Sequence, residues 1–225
     1  MGKGALRTVR FIHRWTGLVI GLFFVISCLS GLLIVFGKII GSYAPIFRFA
    51  KTLHTTLFAG AFGREIISWA TLLALVEIIT GYWLWGKQSL ALGRSLHKRG
   101  GSRFGALIKM AGFRFPNRTM GLHNGAGLWS GIPLLIMILT GLTWGFGWYG
   151  RLVYALFDSA DSGGWENNLF HTLQGLHTGS WEGIISRVLW LIAVALGCSL
   201  PITGWMMFFR KRNRAPRQTE VSNRE

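Results

Sequence analysis

Apolar residues occur in four long blocks along the chain, separated by polar and basic segments. The blocks cover about residues 15–36, 66–85, 122–146 and 184–209. They show neither the two-residue alternation of a half-buried strand nor the 3.6-residue period of a surface helix. Each block has the roughly 20 residues that an α-helix needs to cross about 30 Å of hydrocarbon. The pattern therefore predicts an all-α integral membrane protein with four transmembrane helices, forming a single membrane domain over residues 1–225.

The distribution of basic residues predicts the orientation of these helices. Of the 24 Lys and Arg residues, 18 lie in the N-terminal arm, in the loop between blocks two and three, or in the C-terminal tail. Most of the acidic residues, such as Asp158 and Glu182, lie on the other side. Cytoplasmic segments of membrane proteins carry an excess of Lys and Arg. We therefore expect a bacterial inner-membrane protein with both termini in the cytoplasm, and no nucleic-acid partner in spite of the net charge of +16.

Two shorter segments also bear on the membrane topology. The first apolar block follows several Arg residues, as in a signal peptide, but it is too long for a cleaved one, so we expect a retained helix. Residues 103–109 have the composition of a short basic amphipathic helix on the inner leaflet. A solvated loop explains them equally well.

The chain contains an internal repeat, with repeat 1 over about residues 10–86 and repeat 2 over about residues 120–209. In blocks one and three the matching positions are 110 residues apart: His13 and His123, Gly17 and Gly127, Gly21 and Gly131, Gly31 and Gly141. In blocks two and four they are 123 residues apart: His54 and His177, Arg64 and Arg187, Gly81 and Gly204. A helix pair is thus repeated in the same orientation. Such parallel repeats predict a four-helix bundle with a pseudo-two-fold axis along the membrane normal.

Four histidines are candidate cofactor ligands because the repeat pairs them. His13 and His123 begin helices one and three near the cytoplasmic face, whereas His54 and His177 precede helices two and four near the periplasmic face. Inward side chains of facing helices build the cofactor sites of four-helix bundles, and histidine is a common axial ligand of haem iron. One histidine at a helix end is usually an interfacial residue; two symmetric pairs favour two haem b groups. The chain has no Cys-x-x-Cys-His motif for covalent attachment.

Other polar residues near these histidines have more than one interpretation. His171 lies six residues before His177 in a similar setting and is the alternative periplasmic ligand, whereas His97 has no repeat partner. Arg64 and Arg187 each follow a periplasmic histidine by ten residues and are candidates for bidentate hydrogen bonds to haem propionates. Snorkelling to the interface would explain both arginines equally well.

Glu77 is the only acidic residue well inside an apolar block. A carboxylate in the membrane is costly unless it is neutral or paired, and such groups mark functional sites. We consider Glu77 a candidate proton or quinol site near the cytoplasmic haem. A structural hydrogen bond to a neighbouring helix is the alternative.

A Ser–Gly or Thr–Gly pair recurs near the far end of each apolar block. The four pairs are Ser30–Gly31, Thr80–Gly81, Thr140–Gly141 and Thr203–Gly204. Each pair of histidines is predicted to lie level with two of them. These small-residue notches would leave room for a flat macrocycle, or they would serve close helix packing.

At these residues the chain resembles the PepSY-associated transmembrane family, whose members include inner-membrane ferric-siderophore reductases. The resemblance rests on His13-Arg14-Trp15, Leu53-His54, Thr80-Gly81-Tyr82-Trp83, the segment from His123 to Gly141, and Leu176-His177-Thr178-Gly179. Larger members carry PepSY domains between their helices. Residues 37–53 are far too few for such a domain, so the chain resembles a minimal form without it.

The resemblance implies an oxidoreductase that passes electrons from quinol or a cytoplasmic reductase, through two haems, to a ferric siderophore in the periplasm. The residues alone indicate a membrane protein, surrounded by lipid, with paired histidines. Two alternatives therefore stay open: a haem subunit of a quinol-linked complex, and a non-haem accessory or transport protein whose histidines bind metal directly. A homo-oligomer is compatible with the sequence.

The predicted topology can be tested with a reporter fused after Glu225. A reporter that functions only in the cytoplasm should be active there, because the tail belongs to the basic side. A periplasmic reporter at the same position should be silent, and activity of that fusion would contradict the arrangement of four spans.

Overall fold

The computed structural model describes residues 3–40, 44–98, 100, 102, 104–105, 117–157 and 165–212. The main helices are α1 (Lys3–Ile40), α2 (Ala44–Thr56), α3 (Gly60–Lys98), α4 (Arg118–Gly145), α5 (Gly147–Phe157), α6 (Trp165–Thr178) and α7 (Gly183–Arg212). Four of them, α1, α3, α4 and α7, are long and apolar enough to cross a membrane. The described residues contain no strand. The predicted all-α membrane fold with four spanning helices is confirmed.

The spanning helices run beyond the apolar blocks. Helices α1 and α3 have 38 and 39 residues, which is about 57–59 Å at 1.5 Å per residue. That length exceeds the roughly 30 Å of a hydrocarbon core. Hydropathy identifies only the part of a helix that lies in lipid, so the polar helical turns on either side were not predicted. The amphipathic helix predicted over residues 103–109 lies, apart from residues 104 and 105, outside the described residues.

The four spanning helices form a ring. Helix α1 packs against α3 and α7, and α4 packs against the same two helices. Helix α1 therefore lies diagonally opposite α4, as a parallel repeat of two helix pairs requires. A buried apolar cluster of Ile20, Ala74, Ile138 and Leu142 fills part of the interior. Large apolar side chains such as Phe62 are exposed on the outside of the bundle, where they would contact lipid.

The short helices α2 and α6 carry the remaining two candidate ligands, and each ends just after its histidine. Helix α6 ends in a Schellman motif, in which the N–H of Ser180 donates to the carbonyl of Gly175 and Gly179 adopts a φ of +70°. Helix α2 ends where Leu57 adopts a φ of 50° and its N–H donates to Leu53. The left-handed residues Leu57 and Phe58 make α2 a separate helix from the second spanning helix α3.

Helix α5 accounts for the change of spacing between the repeats. The offset of matching residues rises from 110 at Gly141 to 123 at His177, a difference of 13 residues. Only three residues separate α1 from α2, whereas the 11-residue helix α5 stands between α4 and α6. The second repeat therefore contains an inserted helix and keeps the rest of the first.

Gly21 and Gly131, which end the two Gly-x-x-x-Gly segments 17–21 and 127–131, lie at close contacts between neighbouring helices. Gly21 of α1 faces Pro201 and Trp205 of α7, and Gly131 of α4 faces the ring of Tyr82 on α3. The hydroxyl of Tyr82 also donates to the carbonyl of Leu128 at 3.0 Å. Close helix packing is therefore the role of these glycines.

Candidate functional site

Four of the six histidines form two pairs, each between two repeats. The ring centres of His13 on α1 and His123 on α4 are 6.2 Å apart, and the ring planes meet at 78°. The ring centres of His54 on α2 and His177 on α6 are also 6.2 Å apart, at 69°. The structure thus brings together the side chains that the repeat pairs. Whether they bind a cofactor stays a prediction at this point.

The two pairs lie near opposite ends of the bundle. His13 and Ser30, the residue of α1 that contacts His54, are 17 residues apart on one helix, which is about 25 Å. The same number of residues separates His123 from Thr140 on α4. We call the end of the bundle where α1 begins and where α3 and α7 terminate the basic end. The pair of His13 and His123 lies at that end.

Each of the four rings is held through Nδ1 by a Ser or Thr hydroxyl of a neighbouring helix. The distances are 2.9 Å for His13 and Thr80, 3.0 Å for His54 and Ser30, 2.9 Å for His123 and Thr203, and 3.1 Å for His177 and Thr140. Every one of these hydroxyls belongs to a repeated Ser–Gly or Thr–Gly pair. Both partners in each bond come from the same repeat, so each repeat holds its own two histidines.

In three of the four cases Nδ1 also meets a backbone carbonyl, three residues before the hydroxyl. The distances are 3.0 Å for His54 and Ser27, 3.2 Å for His123 and Leu200, and 2.9 Å for His177 and Met137. A carbonyl oxygen can only accept a hydrogen bond, so Nδ1 carries the hydrogen in these rings. The other ring nitrogen, Nε2, is then the basic one. This is how protein groups orient an imidazole for metal ligation.

The hydroxyls are themselves oriented by their own helices. Each donates to the carbonyl four residues earlier, at 2.7 Å for Ser30, Thr80 and Thr140 and at 2.8 Å for Thr203. Because its hydrogen is used there, the oxygen is left to accept from Nδ1. The hydrogen-bond network thus fixes the tautomer that carries its hydrogen on Nδ1.

In two of the four pairs the glycine lets the imidazole approach the helix closely. A Cβ on Gly141 would lie 3.1 Å from Cε1 of His177, and one on Gly81 would lie 3.3 Å from Cε1 of His13. The sequence left two roles open for these notches, room for a flat macrocycle or close helix packing. In the structure they receive the histidine rings, at the levels in the bundle that were predicted.

His13 differs from the other three because its second partner is a carboxylate. Oε2 of Glu77 lies 2.9 Å from Nδ1 of His13, and the two side chains are 17% and 24% exposed, respectively. Oε1 of Glu77 is buried and has no hydrogen-bond partner in the described part of the chain. The carboxylate therefore belongs to the surroundings of the histidine pair at the basic end.

His54 lies outside the spanning helices, and its environment favours the neutral form. Burial lowers the pKa of His54 below its ordinary value, against the opposing effect of its hydrogen bond to Ser27. A neutral imidazole is the form that ligates metals.

The remaining candidate residues differ in how exposed they are to the surroundings. His97 at the end of α3 and His171 on α6 are exposed, so His177, not His171, lies opposite His54. Arg64 is exposed, whereas its repeat partner Arg187 is half-buried and its Nε has no hydrogen-bond partner among the described residues. The two arginines are thus equivalent in sequence and different in environment.

Two features of the site were not predicted. The ring of Trp144 packs edge-on against His177 with centres 5.4 Å apart, and the repeat offers no aromatic residue at the matching position, Ile34. The hydroxyl contacts were missed because Ser–Gly and Thr–Gly pairs also occur where helices simply pack closely.

Among the described residues, no group of three or more His, Cys, Asp and Glu side chains is placed to hold a metal ion.

Fold and site together define a class: four-helix membrane proteins with a histidine pair near each end of the bundle. The model of the PepSY-associated TM region matches residues 37–164 and 155–211. The chain therefore belongs to the PepSY-associated transmembrane family. The matched part contains His54, His123 and His177, whereas His13 precedes it. No curated protein and no solved structure matches the chain.

The contacts of Gly141 and Gly204 with histidine rings predict that replacing each glycine by alanine affects stability differently. Gly141→Ala should destabilise the protein by about 1–3 kcal/mol, the usual effect of overpacking, because its methyl group would press on a ring held by two hydrogen bonds. Gly204→Ala should be neutral or stabilising, since its Cβ would lie an ordinary 3.8 Å from His123 and alanine favours a helix by about 0.5–1 kcal/mol. Thermal unfolding in detergent measures both, and equal effects would contradict the notch geometry.

Proposed function

We propose that this protein is a membrane cytochrome with two haem b groups, which passes electrons across the membrane to ferric iron held by a siderophore. The observation that carries the proposal is the pair of 6.2 Å separations between opposing imidazoles. His13 and His123 would hold one iron, and His54 and His177 the other. When bound, haem supplies one-electron redox chemistry at its iron.

The separation of the rings fits two histidines that would hold one iron between them. An imidazole nitrogen lies about 2.0–2.1 Å from a bound metal and about 1.2 Å from the centre of its own ring, so two such ligands in line would place their ring centres about 6.4–6.6 Å apart. Both observed values lie about 0.2 Å below this range. Two independent sites with the same spacing support a common ligand.

The hydrogen bonds at Nδ1 also fit this role. A histidine that ligates a metal usually donates its other ring N–H to a carbonyl, carboxylate or hydroxyl, which fixes its tautomer and orientation. All four candidate ligands are held in this way. These hydrogen bonds of the chain would orient all four imidazoles for ligation.

Two histidines suit haem better than a bare metal ion. A porphyrin brings four nitrogen ligands of its own, so two protein ligands complete an octahedral iron. A zinc ion normally takes three or four ligands from protein side chains. The paired arrangement therefore favours the cytochrome over the alternative of a metal-uptake accessory protein.

Arg187 is the best candidate partner for a haem propionate. It lies in the first turn of α7, beside Ser186, whose hydroxyl donates to the carbonyl of Gly179 just after His177. An unpaired buried donor costs about 1–3 kcal/mol, and a carboxylate of the cofactor would satisfy it. Arg64, being exposed, would contribute less.

The proposed acceptor is supported by the resemblance to ferric-siderophore reductases. Siderophores hold iron(III) through hard oxygen donors, and the one-electron reduction to iron(II) weakens such a complex. Electrons supplied by quinol or by a cytoplasmic reductase would enter at the basic end. A haem subunit of a larger quinol-linked complex would share the same ligands and differ only in its partner.

Replacing single histidines tests the ligand assignment. His13→Ala and His123→Ala should each lose, or convert to high spin, the same one of two haem signals, because either change opens one coordination position of the same iron. His54→Ala and His177→Ala should affect the other signal. Absorption spectra of dithionite-reduced purified protein measure both signals.

His97→Ala and His171→Ala provide matched controls, since both residues are exposed and neither lies in a pair. Both variants should retain the two haem signals of the wild-type protein. Purified wild-type protein without b-type bands, or four ligand variants with unchanged spectra, would refute the cytochrome proposal and favour direct metal binding.

A further inference from the structure

The two histidines of the pair at the basic end have different second partners. Nδ1 of His123 is 3.2 Å from the backbone carbonyl of Leu200, a neutral acceptor. Nδ1 of His13 is 2.9 Å from the carboxylate of Glu77. The other pair has carbonyl partners on both sides, from Ser27 and Met137. A carboxylate thus meets one of the four candidate ligands.

The internal repeat makes Glu77 and Leu200 equivalent positions. They are 123 residues apart, the offset of this part of the repeat, and each lies three residues before the threonine that holds the histidine. Their side chains also occupy matching places. A Cβ on Gly17 would lie 3.0 Å from Oε2 of Glu77, and a Cβ on the matching Gly127 would lie 3.6 Å from Cδ2 of Leu200. Leu200 therefore shows the same position of the repeat with an uncharged side chain.

We propose that Glu77 is a positioning residue that acts through His13 to lower the reduction potential of the cofactor held by His13 and His123, relative to the one held by His54 and His177. This inference rests on the proposed haem binding. A carboxylate that accepts the Nδ1 hydrogen makes Nε2 a more basic ligand. It also stabilises the ferric form, which carries one more positive charge than the ferrous form, and hydrogen bonding and net charge both set haem potentials.

The difference in reduction potential would set the direction of electron transfer between the two sites. An electron accepted at the His13 and His123 pair would have a favourable step to the His54 and His177 pair, because the second potential is higher. Reverse transfer would be unfavourable by the same amount. The carboxylate of Glu77 would thus favour electron transfer away from the basic end of the bundle.

Redox titration of the purified, haem-loaded protein tests the inference. The lower of the two wild-type midpoints should belong to the signal that His13→Ala removes. In Glu77→Gln this midpoint should rise by at least about 59 mV, a tenfold change in the equilibrium constant of a one-electron couple, whereas the other midpoint should not move. Glutamine retains an oxygen acceptor for His13, so a purely structural role would leave the midpoint unchanged and would overturn the proposal.

The repeat supplies a second test by exchange. Glu77→Leu copies the Leu200 position and should raise the same midpoint, and adding Leu200→Glu should lower it again, because the carboxylate would then act through His123 on the same iron. If the Glu77 variants fail to bind the cofactor, Leu200→Glu alone decides: a lower midpoint supports the proposal, and an unchanged one overturns it.

Glu65→Gln is the matched control, because Glu65 is an exposed carboxylate on the same helix α3, 12 residues or about 18 Å from Glu77. It should leave both midpoints unchanged, and a shift as large as that of Glu77→Gln would overturn the local mechanism. A wild-type protein that binds no haem would refute the proposed function. A protein that binds haem, but whose midpoint potentials do not change in the Glu77 variants, would refute only this inference.

Discussion

The hydrogen bond from an imidazole Nδ1 to a Ser or Thr hydroxyl on the neighbouring helix is the interaction on which the site depends. It occurs four times, and each time the hydroxyl is already bonded to its own helix. A buried polar group must be paired to avoid a desolvation cost, and here that pairing also sets the direction of the ring. At Gly81 and Gly141 the adjacent glycine completes the arrangement, because a side chain there would press on the ring.

The repeat extends this local arrangement to the whole bundle. Helices α1 and α4 lie diagonally opposite each other, so histidines that each repeat holds by itself meet their counterparts across the interior. The second repeat contains the inserted helix α5, and the ring centres of both histidine pairs are nevertheless 6.2 Å apart. Left-handed residues at Leu57 and Gly179 end α2 and α6 one turn or less after the histidine. The positions of the four histidines therefore depend on helix ends and on packing between repeats, while the connecting segments are free to differ.

The sequence predicted the four spanning helices and the pairing of the histidines because both depend on long-range regularities, namely apolar block length and constant offsets. It predicted the bonding of the rings less well. Thr80 and Gly81 have the same sequence signature whether they pack a helix or hold His13, so the function of the pair becomes visible only when the neighbouring helix is in place. Helix α2 was not predicted as a separate element because residues 44–56 are only moderately apolar and end at Leu57 and Phe58, which rarely adopt a positive φ.

The repeat makes the two histidines of each pair equivalent, but it does not relate the pair at the basic end to the pair at the opposite end. Three departures from the repeat lie near these pairs. Glu77 replaces the apolar side chain found at Leu200, Arg187 is half-buried where Arg64 is exposed, and Trp144 stands beside His177 with no aromatic counterpart at Ile34. Glu77 adds charge at the basic end, whereas Arg187 and Trp144 lie at the opposite end. If the two histidine pairs bind redox cofactors as proposed, a negative group near one pair would favour the oxidised state there, and a positive group near the other would favour the reduced state. The charges of Glu77 and Arg187 would then act in the same sense.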